Sequence, residues 1–266
     1  MYIKKKAEIT KIRKSGIIVA KILENIKKYI KPGISTNKLN KICHELIIQE
    51  KSVPACLGYK GFPKSVCISV NDVVCHGIPN KTEILKNGDI LNIDVTIIKD
   101  GYHADASKMF YVGYISKENN ILCQEAQKSL YCALKVIKPG ILINKIGYAI
   151  QKNIRKTSFS IVKNYCGHGI GKKFHEKPQI LHYYCKQDNQ IILKKGMIFT
   201  VEPMINLGSD KVQIMSDNWT VKTIDKKPSA QYEHTILVTK YGCEILTHQS
   251  TEKIPKKLNN IIKEKT

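Results

Sequence analysis

The sequence predicts an α+β fold built from two similar halves, because two patterns each occur twice along its 266 residues. The first pattern is a pair of amphipathic helices joined by a Pro-Gly-Ile turn, near residues 9–46 and again near residues 123–150. The second is a Leu-Lys-x-Gly segment that runs into a strand and ends in an acid, at residues 85–94 and 193–202. Since duplication preserves the order of elements, we expect the halves to face each other across a pseudo-twofold axis, with an acidic site between them.

Both helix pairs are predicted from apolar residues spaced three and four apart, which places those residues on one face of a helix. Pro32-Gly33-Ile34 separates the helices of the first pair, and Pro139-Gly140-Ile141 separates those of the second. The apolar positions are Ile9, Ile12, Gly16, Val19, Leu23, Ile26 and Ile30, then Leu39, Ile42 and Leu46, in the first pair, and Cys123, Ala126, Leu130, Ala133 and Ile137, then Ile143, Ile146 and Ile150, in the second.

The strand segments of the two halves also match. Residues 85–94 align with residues 193–202, which places Asp94 opposite Glu202. A chance match of apolar positions would not also preserve a glycine and an acid at the same spacing. Duplication is therefore the favoured interpretation.

Length and composition indicate one domain. With 42% hydrophobic residues the chain can form one substantial core. We expect a single catalytic domain over residues 1–250, with halves near 8–115 and 116–248, and a basic C-terminal tail over residues 251–266.

We expect a cytoplasmic protein with no membrane segment. No stretch approaches the roughly 18 to 20 apolar residues of a membrane helix, and the apolar run at residues 17–20 ends at Lys21 without an evident secretion signal. The nine cysteines are odd in number, and none forms a C-x-x-C pair. They are interpreted as reduced, mostly buried thiols.

The formal charge of +22 suggests nucleic-acid binding, but the kind of basic residue argues against a sequence-specific reader. Of the 44 basic residues only Arg13 and Arg155 are arginines, whereas base edges are read largely by the planar fork of arginine. The lysines are spread along the whole chain. We interpret most of them as solvated surface residues that reflect coding bias.

A hairpin is predicted around Asp100-Gly101, a favoured pair for a two-residue turn. With that turn residue 99 pairs with residue 102, so Thr96 faces Asp105. Alternation along the strands then places Asp94 and Asp105 on one face as diagonal neighbours, roughly 7 to 8 Å apart. Taken alone, such a pair is as typical of a solvated hairpin face as of a functional site.

Two acids in the second half favour a functional site over a solvated hairpin face. Glu202 and Glu233 each lie in an apolar strand pattern, where a carboxylate without a counter-charge is costly. Four acids close together would repel one another and have raised pKa values unless cations neutralised them, so bound divalent metal is the simplest interpretation. His168 adds a nitrogen ligand within a glycine-rich segment, and its His-Gly-Ile sequence also occurs at His76.

Four motifs occur together in this chain: the Asp94 and Asp105 hairpin, Cys166-Gly-His-Gly-Ile-Gly-Lys-Lys-Phe-His-Glu-Lys-Pro178, Val201-Glu-Pro-Met204 and Gln231-Tyr-Glu-His234. Together they resemble the type I methionine aminopeptidases, which have the pita-bread (creatinase/aminopeptidase) fold, a central antiparallel sheet covered by helices. The resemblance covers residues from about 11 to 247, and no zinc-binding N-terminal extension is expected.

The resemblance implies two divalent metal ions per chain and a monovalent-cation site at Asn71, Val73 and Ser229. One histidine among oxygen ligands is compatible with Co, Mn, Fe or Zn. The implied ligands of the dinuclear site are Asp94, Asp105, His168, Glu202 and Glu233.

The same resemblance implies removal of the initiator methionine from nascent polypeptides whose second residue is small, by attack of a metal-activated hydroxide. Glu202 would act as general base, His175 would stabilise the oxyanion and His76 would contact the departing nitrogen. Thr96 would help hold the free amine of the substrate. The methionine side chain would enter an apolar pocket formed by Cys56, Tyr59, Phe62, Cys67, Phe174 and Trp219, although Cys56, Cys67 and Trp219 are also consistent with ordinary core residues.

Two residues depart from the pattern of bacterial members. Lys60 stands where histidine is common and Phe62 where tyrosine is frequent, and both are expected at the rim of the substrate pocket. We expect a monomer that acts transiently near the ribosome.

Three other functions remain open from the sequence. A proline-directed aminopeptidase would share the ligand chemistry, but enzymes of that kind carry an additional N-terminal domain for which this length leaves no room. A catalytically inactive binding protein on the same fold would be expected to lack one or more ligands, and all five are present. A nucleic-acid-binding module is suggested by charge alone, and salt-dependent affinity would reveal it.

Overall fold

The computed structural model describes residues 3–186 and 191–255. The helices are α1 (Lys6–Ile26), α2 (Thr36–Gln49), α3 (Lys117–Val136) and α4 (Asn144–Ile154), with 3-10 turns at Lys27–Tyr29 and Tyr59–Gly61. The strands are β1 (Val53–Pro54), β2 (Cys67–Val70), β3 (Val73–Cys75), β4 (Ile90–Lys99), β5 (Tyr102–Tyr111), β6 (Ser160–Ile161), β7 (Gly167–Gly169), β8 (Glu176–Ile180), β9 (Ile198–Val201), β10 (Met204–Asn206), β11 (Val212–Ile214), β12 (Val221–Thr223), β13 (Ser229–Gln231), β14 (His234–Val238) and β15 (Cys243–Ile245). Each half begins with two helices and continues with strands, which confirms the predicted α+β class.

The two halves repeat the same contacts between the helix turn and the Leu-Lys-x-Gly segment. The N–H of Gly33 donates to the carbonyl of Leu85 at 2.8 Å, and the N–H of Gly140 donates to the carbonyl of Leu193 at 2.9 Å. Gly33 and Gly140 have φ values of +87° and +85°, in the left-handed region that glycine enters without a steric penalty. The duplicated sequence patterns therefore correspond to duplicated three-dimensional units.

The first half is organised around the hairpin of β4 and β5. These strands are antiparallel, with Lys99 opposite Tyr102 and Thr96 opposite Asp105, so the predicted register is confirmed. β1 and β2 also pair with β4. Helices α1 and α2 cover this sheet, and their apolar faces form one core with its buried Ile, Val and Leu residues.

The second half contains a five-stranded sheet in the order β15-β14-β9-β7-β8. Helices α3 and α4 pack against each other, and they form a second core with residues of β9 and β14. Two small sheets, β13-β10-β6 and β11-β12-β3, complete the described strands. Each half thus buries its own apolar faces, and the acids lie where the halves meet.

The halves are joined by hydrogen bonds between β5 and the β13–β14 region. The hydroxyl of Thr235 accepts from the N–H of Asp105 at 3.0 Å and donates to its carbonyl at 2.7 Å. The N–H of Glu233 donates to the carbonyl of Ser107 at 3.0 Å. These bonds fix an acid of one half against an acid of the other.

Two sequence expectations concern membrane segments and the C-terminal tail. None of the described helices is long and apolar enough to cross a membrane. Of the predicted tail, residues 256–266 lie outside the described residues. Within its described part, Oε1 of Glu252 lies 3.1 Å from Nε2 of His234.

Gly16 allows α1 to approach the segment after β15 very closely. A Cβ on this residue would lie 2.2 Å from the carbonyl oxygen of Leu246, which is backbone and cannot rotate away. Gly16 thus lets the first helix pack against the second half.

We expect Gly16→Ala to lower the free energy of unfolding by about 1–3 kcal/mol, the usual range for overpacking. In an exposed helix the same change would stabilise by up to about 1 kcal/mol. The control is Lys14→Ala, one exposed position two residues earlier in α1, which should change stability by less than about 0.5 kcal/mol. Urea denaturation measures both, and a stabilised Gly16→Ala protein would contradict the close contact.

Candidate active site

The β4–β5 hairpin presents the two acids of the first half on one face. Asp94 is opposite Ser107 and Thr96 is opposite Asp105, so Asp94 and Asp105 are diagonal neighbours as predicted. The hydroxyl of Thr96 donates to Oδ1 of Asp105 at 2.8 Å. Together with Thr235, which binds the backbone of Asp105, it fixes the carboxyl group in one position.

The second half supplies two carboxyl groups and an imidazole. His168 lies on β7, Glu202 directly follows β9, and Glu233 lies between β13 and β14. The hydroxyl of Thr200 accepts from the N–H of His168 at 3.0 Å and donates to Oε1 of Glu202 at 2.7 Å. One threonine therefore sets the relative position of two of the site residues.

All five predicted ligand residues line one cavity of about 330 Å³. Nε2 of His168 lies 3.8 Å from Oδ2 of Asp105 and 3.7 Å from Oε1 of Glu202. Ligand atoms of Asp105, His168 and Glu233 all lie within 4.8 Å of one another. Asp94 lines the same cavity, so the structure brings the matched acids Asp94 and Glu202 to a common site.

The carboxyl groups of this cavity are difficult to ionise together. Burial raises the pKa of Asp94 to about 6. Burial, with a contribution from the charge of Asp94, raises the pKa of Glu202 to about 8. The pKa values of Asp105 and Glu233 also lie well above their ordinary values, first because of burial and then because of the other acids. Lost hydration thus acts on every acid of the site, and repulsion adds to it at Asp105, Glu202 and Glu233.

A divalent cation fits this donor set. Oδ1 of Asp94 and Oε1 of Glu233 are buried carboxylate oxygens that have no hydrogen-bond partner among the described residues. Nδ1 of His168 lies 3.0 Å from the carbonyl of Gly169, which can only accept, so Nδ1 carries the proton and Nε2 keeps its lone pair. Burial lowers the pKa of His168 to about 4 and keeps the ring neutral. Unpartnered carboxylate oxygens and a neutral imidazole nitrogen are typical metal ligands.

Two further predicted histidines line the cavity. The phenol of Tyr59 lies 2.9 Å from Nδ1 of His175, and the rings of His168 and His175 are 4.2 Å apart. Loss of solvent around the ring, then the charges of nearby basic residues, lowers the pKa of His175 to about 3. Burial lowers the pKa of His76 to about 4, and its ring meets that of Tyr165 edge to face at 5.4 Å. Both imidazoles are therefore neutral at physiological pH.

The predicted apolar residues form one wall of the cavity. Phe62 is buried and meets Trp219 edge to face at 5.2 Å, and Tyr59 and Phe174 have ring centroids 4.9 Å apart. The cavity lining includes every residue of the predicted apolar set: Cys56, Tyr59, Phe62, Cys67, Phe174 and Trp219. Lys60 lies at the same cavity and is exposed, as expected for a residue of the rim.

Thr96 is held beside Asp105. It is fully buried and is not among the residues that line the cavity. Its hydroxyl donates to the carboxylate of Asp105, so Thr96 positions this acid. Its expected contact with the amine of a substrate stays a prediction.

The predicted monovalent-cation residues lie on neighbouring segments. The N–H of Ser229 donates to the carbonyl of Asn71 at 2.9 Å, and Val73 begins β3, which contacts the strand of Ser229. Binding of a monovalent cation at these residues stays a prediction.

Several residues that support the acids were not predicted. His182 is fully buried, and its Nε2 accepts a hydrogen bond from the N–H of Glu202 at 3.1 Å. Thr200 holds Glu202 from the same strand segment, whereas Thr235 holds Asp105 and Gln231 holds Glu202 from segments that are distant in sequence. Their only sequence signal is proximity to a predicted ligand, as with Thr200 two residues before Glu202.

Comparison with known proteins gives consistent matches. Residues 10–240 match metallopeptidase family M24. The chain is 61% identical over 258 residues to the methionine aminopeptidase of Buchnera aphidicola subsp. Schizaphis graminum, covering 97% of this chain and 98% of that protein. The crystal structure of methionine aminopeptidase from Rickettsia prowazekii has a TM-score of 0.90 at 47% identity, covering 93% of this chain and 100% of that chain. Prolidase from Pyrococcus furiosus, at 22% identity and a TM-score of 0.75, covers 94% of this chain and 66% of that chain, and it shares the fold.

We expect Asp94→Asn to stabilise the metal-free protein above pH 6. The folded-state pKa of about 6 exceeds the ordinary value of 3.8, so the folded state holds its proton longer than the unfolded state does. Stability of the parent protein therefore falls as pH rises from about 4 to 6, whereas the variant lacks this loss and should be more stable at pH 7.5 by about 2 kcal/mol.

Urea denaturation of chelator-treated protein at several pH values measures this difference, which should shrink toward pH 4. Asp100→Asn, at the exposed hairpin turn, is the matched control and should show no such trend. A metal-free parent protein that is more stable than Asp94→Asn at pH 7.5 would contradict the cost of burying the ionised carboxyl group of Asp94.

Proposed function

The chain belongs to the methionine aminopeptidases of metallopeptidase family M24 and removes N-terminal methionine from polypeptides, and we propose that it does so in the cavity described above. The observation that carries this assignment of the site is the convergence of four carboxyl groups and one neutral imidazole on that cavity, with two carboxylate oxygens that have no hydrogen-bond partner in the described part of the chain. Such a set is stabilised by cations, and an apolar wall beside it suits a methionine side chain.

We propose that two divalent metal ions bind to this set of side chains, with Co, Mn, Fe or Zn all compatible with the donors. When bound, such ions lower the pKa of water and polarise a peptide carbonyl. The proposed ligands are Asp94, Asp105, His168, Glu202 and Glu233.

Glu202 is the proposed general base. Its pKa of about 8 in the metal-free protein reflects a carboxyl group that holds a proton readily in this environment. The group takes the proton of the attacking water and delivers it to the departing amine. Thr200 keeps the carboxyl group oriented during both transfers.

His175 is the proposed stabiliser of the oxyanion. Since Nδ1 lies 2.9 Å from the phenol of Tyr59, the phenol can donate there and leave the proton of the neutral ring on Nε2. An N–H donor aimed at the carbonyl oxygen gains strength as negative charge develops on it. His76, which directly follows β3 and lines the same cavity, contacts the departing nitrogen.

The apolar wall holds the methionine side chain, and the size of the cavity supports a small second residue. At about 330 Å³ the cavity is near the lower end of ligand pockets, roughly 300 to 1,000 Å³. A methionine side chain and the scissile bond leave little room for a large neighbour. The substrates are therefore chains whose second residue is small.

We further propose that these substrates are nascent chains met in the cytoplasm near the ribosome, by a monomeric enzyme. The nine cysteines are all free thiols, as suits a reducing compartment. The proposed monovalent cation at Asn71, Val73 and Ser229 would stabilise the loop that leads into β3.

A peptide assay tests the proposed function. Purified metal-loaded protein should release methionine from Met-Ala-Ser, lose this activity in excess chelator and regain it on addition of a divalent metal. Replacing Ala by Leu should lower kcat/KM by about 100-fold or more, since the larger side chain clashes in the transition state. Full turnover at near-zero metal content would rule out the metal mechanism, and equal turnover of both peptides would indicate a general aminopeptidase.

His168→Ala and His175→Ala should differ in phenotype. Loss of a ligand should reduce metal content together with rate, whereas loss of the oxyanion donor should leave the metals bound and lower kcat by about 10²- to 10³-fold with a smaller change in KM. His44→Ala is the control, because its imidazole bonds to Ser65 away from the cavity. Metal analysis and steady-state kinetics decide the roles, which are reversed if His175→Ala loses metal and His168→Ala retains it.

A further inference from the structure

The active-site cavity adjoins a second concavity at its mouth. His175 lines both the cavity of about 330 Å³ and a neighbouring one of about 500 Å³. The second concavity is otherwise lined entirely by charged residues: Lys4, Glu8, Lys172, Lys173, Glu176 and Lys177. A polypeptide that leaves the reacting centre past His175 would therefore cross a charged surface.

The acids of this surface are already engaged within the protein. Nζ of Lys4 lies 2.6 Å from Oε2 of Glu176, and the Lys4 side chain is only 3% exposed. The carboxylate of Glu8 accepts hydrogen bonds from the N–H of Lys5 and the phenol of Tyr102. Lys4 therefore offsets the charge of Glu176, and Glu8 is left as a single negative charge beside several exposed lysines.

Four exposed lysines remain at the mouth, and we call them the mouth lysines: Lys60, Lys172, Lys173 and Lys177. None of them forms an ion pair with any residue in the described ranges 3–186 and 191–255. The ammonium of Lys60 lies 5.5 Å from the ring centroid of Tyr59, the residue that holds His175. The cavity thus has acids at its floor and free positive charge at its rim.

A bound polypeptide would place its third to fifth residues over this rim. An extended chain advances roughly 3.3–3.6 Å per residue, so these side chains lie about 7 to 14 Å beyond the scissile bond. Carboxylates there would be attracted by the mouth lysines, at separations comparable with the Debye length of about 8 to 10 Å. Lysine side chains at the same positions would be repelled.

We infer that the enzyme prefers polypeptides with acidic residues at positions three to five, which the mouth lysines recognise. This preference rests on the proposed function, since it concerns the path of the same substrate. Because the contacts are remote from the reacting bond, the preference should appear in KM more than in kcat.

Three peptides of equal length test the inference with the full-length, metal-loaded protein: Met-Ala-Glu-Glu-Glu, Met-Ala-Gln-Gln-Gln and Met-Ala-Lys-Lys-Lys. At about 20 mM salt we expect kcat/KM for the Glu peptide to exceed that for the Gln peptide by about 5-fold, and the Lys peptide to fall below it by a similar factor. At about 0.5 M salt the differences should contract to less than about twofold, because screening removes them.

A matched pair of variants distinguishes the mouth from the general charge of the protein. Changing all four mouth lysines to Gln should reduce the Glu-to-Gln ratio to about 1 to 2 at low salt. Changing Lys27, Lys28, Lys31 and Lys38 to Gln removes the same charge from exposed positions outside both cavities and should preserve the ratio. The inference is overturned if the mouth-lysine variant keeps the Glu-to-Gln ratio of kcat/KM while the control variant loses it.

The outcomes separate this inference from the proposed function. Equal kcat/KM for the three peptides overturns the acidic preference and leaves methionine removal intact. Failure of the metal-loaded protein to cleave any of them overturns the proposed function itself.

Discussion

The structure depends on one electrostatic constraint, the close approach of four carboxyl groups in one cavity, where Asp105, Glu202 and Glu233 are buried. Asp94 and Glu202 have pKa values raised to about 6 and about 8, and those of Asp105 and Glu233 lie well above the ordinary values. In a protein without cations, such groups either keep their protons or repel one another. A site of this kind lowers the stability of the fold, so the surrounding structure must hold it together.

The duplicated fold provides that support from both sides. Threonine hydroxyls hold the carboxyl groups of Asp105 and Glu202, and Thr235 links the backbone of Asp105 to the opposite half. His182 accepts from the backbone N–H of Glu202, which fixes the end of β9. Each half has its own close-packed core. The acids are therefore held at the junction of two independently packed units.

The sequence predicts the parts of this arrangement that depend on local geometry or on duplication. The Asp100-Gly101 turn sets the register of β4 and β5, and alternation then places Asp94 and Asp105 on one face. The matching Leu-Lys-x-Gly segments predict that Glu202 is the counterpart of Asp94.

The sequence does not predict how strands that are distant along the chain pair with one another. The contacts of Thr235 and His182 depend on how β14 and β8 lie against distant strands, and no local pattern specifies this. The bond from Thr96 to Asp105, by contrast, follows from the predicted register, because the two residues are opposite each other in the hairpin.

Anomalous diffraction from crystals of the active protein grown with Mn²⁺ tests the central claim most directly. The account predicts two anomalous peaks about 3.5 to 4 Å apart in the cavity, within about 2.0–2.3 Å of the carboxylate oxygens and of Nε2 of His168. Crystals that cleave a Met-Ala peptide but show no metal peak beside Asp94, Asp105, His168, Glu202 and Glu233 would contradict it.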